Sequence, residues 1–378
     1  MKRTGLLGGT FDPVHAEHVN LAKRAIEELS LDELIVMPTH LPPHKNVIPA
    51  PDEDRLNMLR LAFVGEKKVT VSDFEIKAGG KSYTYITVEK LLSEVGGELF
   101  LIVGGDMLAD FKTWKNPERI LGAATLCAFG RQDFNVDFDK EAKLFRNRFG
   151  KDFIKLNYTG KSCSSTKIRI YSALGLDVAP FTGRAVAEYI ANNNIYSGDK
   201  YTEFVKQVLP EKRRIHTAGV ALCAVKKAKE ENIDRNKAFT AAVLHDCAKY
   251  LNPKDYPAFV LDKDVPEPVV HAFLGAYVAQ HVLGIEDEEI IDAIRYHTSG
   301  KAGMSPLAKL IFTADMVEEN RTYNGVETLR KAYEKDLDAC FKECLAEETE
   351  HLKKKGQPIY KETINAYNYY VKGENNDD

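Results

Sequence analysis

The chain has 378 residues, 44% of them hydrophobic and 29% charged, with a formal net charge of −4. That length suits two or three ordinary domains, and the small negative charge argues against nucleic-acid binding through bulk electrostatics. No run of 18 apolar residues is available to span a membrane. In chain order, Gly5-Leu6-Leu7 predicts a first strand. Val19, Ala22, Ile26 and Leu29, spaced by three and four, predict one face of the helix that follows. Between them, Gly8-Gly9-Thr10-Phe11-Asp12-Pro13-Val14-His15-Ala16-Glu17-His18 occupies a strand-to-helix turn. Paired glycines let backbone N–H groups approach an anion, and the helix start adds partial positive charge. His15 and His18, three apart, leave the helix on the same side. Such a turn is suited to holding a triphosphate.

Residues 34–37, 99–103 and 125–129 are apolar runs ended by Pro38, Gly104 and Gly130, and they predict buried strands. Helices fit between them, over 85–95 and 117–122. The alternation predicts an α/β fold with a doubly wound, Rossmann-like parallel sheet, whose ligands bind past the strand ends. The Asn192-Asn193-Asn194 run followed by Ser197-Gly198-Asp199 is a turn-rich connector, which puts a domain boundary near Gly198. Beyond it the periodicity is helical, and the polar tail from Gly373 is expected to fray. From the start Met1-Lys2-Arg3 and the glycine turn that follows, no signal peptide is expected. The six cysteines, Cys127, Cys163, Cys223, Cys247, Cys340 and Cys344, contain no C-x-x-C pair. A reduced, cytoplasmic protein is expected. Histidines cluster before residue 50 and again from His216 onward, so two separate chemistries are expected.

Polar groups recur where a first site would need them. Pro42-Pro43-His44-Lys45 is a stiff loop that presents a lysine able to meet phosphate as a point charge. Ser82-Tyr83-Thr84-Tyr85 reads as a helix cap with exposed aromatics. Asp106, after Gly104-Gly105, is placed to take a ribose hydroxyl, and Trp114 to stack on a pyridine or base. Ser164-Ser165-Thr166-Lys167-Ile168-Arg169 opens a helix with hydroxyls and cations, an anion site.

The turn at 8–18 resembles the signature of the nucleotidyltransferase superfamily that uses an H-x-G-H pair, with Glu17 where that family usually has Gly. A carboxylate there would repel ATP phosphates unless it turned away or paired with a cation. Taken together, residues 8–18, 42–45, 82–85, 104–106, 112–114 and 164–169 resemble the bacterial nicotinate-mononucleotide adenylyltransferases, over residues 1 to about 197. The resemblance implies transfer of AMP from ATP, accompanied by Mg²⁺, to nicotinate mononucleotide, giving deamido-NAD and pyrophosphate. It implies that Gly8, Gly9, Thr10 and Phe11 form the nucleotide-binding turn and that His15 and His18 meet the α- and β-phosphates. Lys45, Ser165, Thr166 and Arg169 would bind the ATP phosphates, Asp106 the ribose, and Thr84, Tyr85 and Trp114 the nicotinate nucleotide. Such a transfer needs positioning and charge neutralisation, with no covalent nucleophile on the enzyme.

In the second half, His216, His245-Asp246, His271, His297 and Asp315 each interrupt an apolar helical stretch. An adjacent His-Asp at the end of Ala241-Ala242-Val243-Leu244 is costly to bury unpaired, and a metal would resolve the cost. Four imidazoles and two carboxylates suit a dinuclear first-row metal site, with Asp246 as the bridge. His216-Thr217, His245 to Lys249, His271 with Gly275-Ala276, His297 to Gly300, and Ala314-Asp315 with Glu318 and Arg321 resemble the YqeK branch of the HD-domain phosphohydrolases. That resemblance covers about residues 203–370. It implies symmetrical cleavage of diadenosine tetraphosphate to two ADP, using iron or a similar divalent metal, with Lys249 and Arg321 as candidate phosphate clamps. The expectation is thus two domains: a nucleotidyltransferase over 1–197, followed by an all-α HD domain over 203–370. No nucleic-acid or membrane partner is expected, and a homo-oligomer is compatible with the sequence. The alternative is an HD half that senses a nucleotide and regulates the first domain.

Overall fold

The computed structural model describes residues 1–41, 49–132, 136–161 and 163–373. The segment carrying Lys45 and His44 lies outside the described residues. The chain divides into two compact units: Met1–Arg169 with Asp177–Tyr196, and Ile170–Leu176 with the residues from Ser197 on.

The first unit is built on strands β1 (Arg3–Gly9), β2 (Glu33–Pro38), β3 (Val69–Val71), β4 (Glu98–Gly104), β5 (Thr125–Arg131) and β6 (Ile154–Gly160). Among the described residues they form one parallel sheet in the order β3-β2-β1-β4-β5-β6. Parallel neighbours require crossovers, and helices such as Ala16–Glu28, Thr84–Val95 and Pro117–Ala123 provide them. The central strands β2 and β4 are buried almost end to end, which is why they are continuous apolar runs. Leu6, Ile35, Leu101 and Leu126 pack with Phe111, Ile120 and Phe145 in one hydrophobic cluster. Gly5 is a packing requirement: a Cβ there would lie 2.6 Å from the Leu31 side chain. The strand order reverses between β1 and β4, and sheets of this kind bind ligands past the carboxyl ends of the strands at that point.

Arg55 fixes those strand ends. It lies in the helix Asp52–Ala62, and its side chain is fully buried. Its guanidinium donates to the carbonyls of Thr10 (2.8 Å), Thr39 (2.7 Å) and Ala50 (3.0 Å), and it pairs with Asp52. The glycine turn after β1 and the exit of β2 are therefore held by one cation.

The second unit is helical among its described residues. Asp199, Asp234, Asp287, Ser305 and Asp336 each accept backbone N–H bonds as N-caps, so the helix starts are set locally. The helices Glu211–Glu230, Arg235–Leu244, Glu267–Tyr277, Glu288–Arg295 and Pro306–Val317 supply the core. Among the described residues no helix is long and apolar enough to cross a membrane. All six cysteines are free thiols; Cys340 and Cys344 lie buried with their sulfurs 3.9 Å apart.

Arg55→Ala should leave the strand-end carbonyls without their donor and cost about 3–5 kcal/mol. A lowered urea midpoint at unchanged m-value would show it, and an unchanged midpoint would refute the clamp.

Candidate functional site

In the first unit, the sequence Gly9-Thr10-Phe11 bends sharply. Phe11 takes φ 47° and is buried, and its ring lies against Gly9, where a Cβ would come within 3.1 Å of it. Phe11 also meets His18 edge-on at 4.9 Å. His15 is the N-cap of the helix Ala16–Glu28, and its amide donates to His18 Nδ1 at 3.1 Å. The two imidazoles stack with centroids 3.7 Å apart. Both histidines are thereby fixed at the positive end of the helix.

The segment after β6 is tied to this turn. Ser165 Oγ donates to the Pro13 carbonyl (2.9 Å), and Arg169 Nη1 donates to the Asp12 carbonyl (2.5 Å). Thr166 Oγ1 accepts from Arg169 Nη2 at 3.1 Å. Asp12 in turn accepts from the Ala50 amide (3.1 Å) and the Tyr196 hydroxyl (2.8 Å). Ser165 and Arg169 thus bind the turn that leads into His15 and His18, Thr166 is held by Arg169, and Gly8 is exposed at the end of β1. Asp106 begins the helix Gly105–Asp110 with its carboxylate folded back over Gly104. Thr84 and Tyr85 open the helix Thr84–Val95, with Arg119 4.5 Å over the Tyr85 ring. Trp114 is half-buried against Phe111 at 5.3 Å. None of these four hydrogen-bonds to the histidine turn among the described residues. Contrary to the cap expected at 82–85, no side chain caps the helix Thr84–Val95, and Ser82 Oγ instead accepts from the His40 amide at 3.2 Å.

Glu17 turns away from the glycine turn. Its carboxylate accepts from the Tyr158 hydroxyl (2.6 Å), the Lys161 amide (2.8 Å) and Asn20 Nδ2 (3.1 Å). Burial works to raise its pKa, but these hydrogen bonds bring it below the ordinary glutamate value. A pocket lined by His15, His18, Phe129, Tyr158 and Cys163 lies beside it.

In the second unit, four imidazoles and two carboxylates converge from separate helices. His216 is in Glu211–Glu230, His271 in Glu267–Tyr277 and Asp315 in Pro306–Val317. His245-Asp246 follows Arg235–Leu244, and His297 follows Glu288–Arg295. His245 and His297 each place Nδ1 2.7 Å from a backbone carbonyl three residues back, Ala242 and Ile294. That bond puts the proton on Nδ1 and aims a free lone pair on Nε2 inward. Asp246 is shared: Oδ1 lies 3.0 Å from His271 Nε2 and 3.5 Å from His297 Nε2, and Oδ2 lies 3.7 Å from His245 Nε2. His216 Nε2 sits 2.9 Å from Asp315. Each of the triads His216–His245–Asp246, His245–His297–Asp315 and Asp246–His271–His297 has donor atoms within 4.8 Å of one another.

The electrostatics suit a cation. Burial opposes ionisation of Asp246, yet the surrounding histidines hold it well below the ordinary carboxylate value. Burial pushes His245 down to about 3 and also lowers His271, which favours the neutral imidazole that a metal would need. His216 runs the other way: its two carboxylate partners outweigh its burial and raise its pKa. This donor set fits a first-row divalent metal. Lys249 Nζ lies 3.1 Å from His271 Nε2 and 3.7 Å from Asp246. Arg321, expected at a substrate phosphate, pairs here with the Asp315 carboxylate and donates Nε to its carbonyl at 2.7 Å.

Three neighbours received no site role from the sequence. Arg213 donates to Asp246 Oδ2 at 2.8 Å, Thr298 Oγ1 lies 3.0 Å from His297 Nε2, and Glu318 lies 3.0 Å from His216 Nδ1. Helical spacing was the available signal: Arg213 and Glu318 each stand three residues from an assigned ligand.

Residues 6–170 match the cytidylyltransferase-like family and residues 213–320 the HD domain family. The chain is 42% identical over 179 residues to a symmetrical bis(5′-nucleosyl)-tetraphosphatase of Bacillus subtilis, covering 45% of this chain and 95% of that one. It is 36% identical over 201 residues to a "Probable nicotinate-nucleotide adenylyltransferase" of Clostridium tetani, covering 52% of this chain and 100% of that one. A "Probable nicotinate-nucleotide adenylyltransferase/Ap4A hydrolase" of Mycoplasma pneumoniae matches at 27% identity, over 89% of this chain and 96% of that one. The chain belongs to both families, as a fusion of a nucleotidyltransferase of the nicotinate-nucleotide adenylyltransferase group with an HD-domain protein of the symmetrical bis(5′-nucleosyl)-tetraphosphatase group.

Proposed function

We propose that this chain is a bifunctional enzyme. One activity transfers AMP from ATP to nicotinate mononucleotide, and the other splits diadenosine tetraphosphate into two ADP. The observation that carries this reading is a pair of polar clusters: the stacked His15–His18 turn tied to Arg169, and the six-residue cluster that includes Asp246. The limits proposed for the two domains are 1–197 and 203–370, with a cytoplasmic setting.

In the transfer, a phosphate oxygen of nicotinate mononucleotide forms a bond to the α-phosphorus of ATP. The α–β bridging bond breaks, and pyrophosphate leaves with the electron pair. The chain's part is to align the two and spread the charge. His15 and His18 face the α- and β-phosphates from the helix start. Arg169, Ser165, Thr166 and Lys45 take the leaving pyrophosphate, with Mg²⁺ carried by ATP. Gly8 to Phe11 lend backbone amides, Asp106 holds ribose, and Thr84, Tyr85 and Trp114 hold the nicotinate nucleotide.

In the hydrolysis, His216, His245, Asp246, His271, His297 and Asp315 would hold divalent metal, iron or a similar ion, with Asp246 shared between two positions. When bound, such ions supply Lewis acidity to a phosphate oxygen and make water a competent nucleophile. Lys249 brings positive charge to the same cluster, and Arg213 steadies the Asp246 carboxylate.

The anaerobically purified chain with Fe²⁺ or Mn²⁺ should convert diadenosine tetraphosphate to ADP as the main product on chromatography, and Asp246→Ala should lose this. Tight nucleotide binding without turnover would instead assign the HD half to sensing. The same preparation should form deamido-NAD from ATP and nicotinate mononucleotide, and His18→Ala should lower that rate at least 100-fold.

Glu17 gives a second test. Because its charge is spent on Tyr158, the Lys161 amide and Asn20, Glu17→Gln should change the KM for ATP less than threefold. A tenfold fall in KM would mean that the carboxylate repels the phosphates. Glu17→Gly should also cost about 1 kcal/mol at neutral pH, discounted for partial exposure. The folded pKa is depressed, so this contribution is present above the ordinary glutamate value and disappears as pH falls through the folded one.

A further inference from the structure

We propose that Glu318 is the positioning residue of the metal centre and that Gly219 is glycine in order to admit it. The inference rests on the metal-centre reading of the second unit. His216 is the one histidine of the four whose Nδ1 faces neither a backbone carbonyl nor Lys249 and is held instead by a carboxylate, Glu318 Oε1 at 3.0 Å. Glu318 is 1% exposed. A buried carboxylate needs its lone pairs filled, and the second oxygen, Oε2, accepts from the Asn320 amide (2.7 Å) and Asn320 Nδ2 (2.9 Å). The side chain is thus gripped from both ends, with one oxygen left for His216. A carboxylate on Nδ1–H fixes the ring and raises the basicity of Nε2, the atom that faces Asp315 and His245.

The backbone that carries Glu318 is held as well. Glu318 caps the helix Pro306–Val317, where the chain turns extended. Arg330 donates from outside to the carbonyls of Val317 (2.9 Å), Glu318 (2.6 Å) and Arg321 (2.8 Å). One turn therefore orients two proposed ligands, with Glu318 on His216 and Arg321 on Asp315. Gly219 lies one helical turn beyond His216. A Cβ there would overlap Glu318 Oε2 and lie 2.9 Å from Glu318 Cδ and 3.1 Å from Asn320 Nδ2. Its φ needs no glycine, because it is an interior helix residue. The requirement is space for the carboxylate.

The test is Mn²⁺ binding to the full chain by equilibrium dialysis, read without turnover. Glu318→Ala and Gly219→Ala should each weaken binding about 10–100-fold. The double variant should bind like Glu318→Ala alone and be more stable to heat than Gly219→Ala, because removing the carboxylate removes the clash. The adenylyltransferase rate of each preparation should stay within twofold of the parent. Parent-like Mn²⁺ affinity in Glu318→Ala, or additive losses in the double variant, would overturn the inference. A parent chain that binds no Mn²⁺ would overturn the metal-centre reading, and this inference with it. If Gly219→Ala fails to fold, recovery of fold in the double variant supports the steric claim, and no recovery refutes it.

Discussion

A carboxylate with 3% of its residue exposed, ringed by imidazoles from four helices, organises the second half of this protein. Burying Asp246 unpaired would cost several kcal/mol, so every neighbouring element must bring a donor or a cation to it. The sequence meets that demand with His245, His271 and His297, and with Arg213 and Lys249 at the rim. The two Asp246 oxygens face different histidines, so one residue can belong to two coordination spheres. Backbone carbonyls fix the tautomers of His245 and His297, and Glu318 does so for His216. The cage is thereby pre-organised by local bonds rather than by loops.

The first half solves a different problem with a different material. His15 and His18 stand on a glycine turn at a helix start, so what must be held is the path of the chain that carries them. Arg55 does this from beneath through the carbonyls of Thr10 and Thr39, and Ser165 and Arg169 do it from the segment after β6. Glu17 acts in the same way: where its neighbours in the motif face the turn, it braces Tyr158 and Lys161. A residue that looks hostile to phosphate in the sequence is structural in the fold. Both proposed activities act on phosphate chains, one by positioning a transfer and the other through metal, which makes the fusion chemically coherent.

Legibility in the sequence followed burial. β2, β4 and β5 stand out because both faces are covered and the strands read as apolar runs. β3 has two half-buried valines around an exposed Thr70, and β6 buries only Leu156 and Gly160, so neither leaves a run to see. The polar residues of the cage were visible as interruptions in apolar helices. Glu318 was noticed only as part of a motif, since beside Glu319 it looks like a solvated pair. Arg55 follows Asp52-Glu53-Asp54 and reads as a surface residue. Its burial is created by two loops distant in sequence, and no local pattern encodes that.

The central claim is that Asp246 is shared between two metal positions. The most direct test is elemental analysis of the full chain reconstituted anaerobically with Fe²⁺ and desalted, beside Asp246→Ala. The account predicts about two ions per chain in the parent and loss of most of both in the variant. One ion per chain in the parent, or two retained without Asp246, would contradict it.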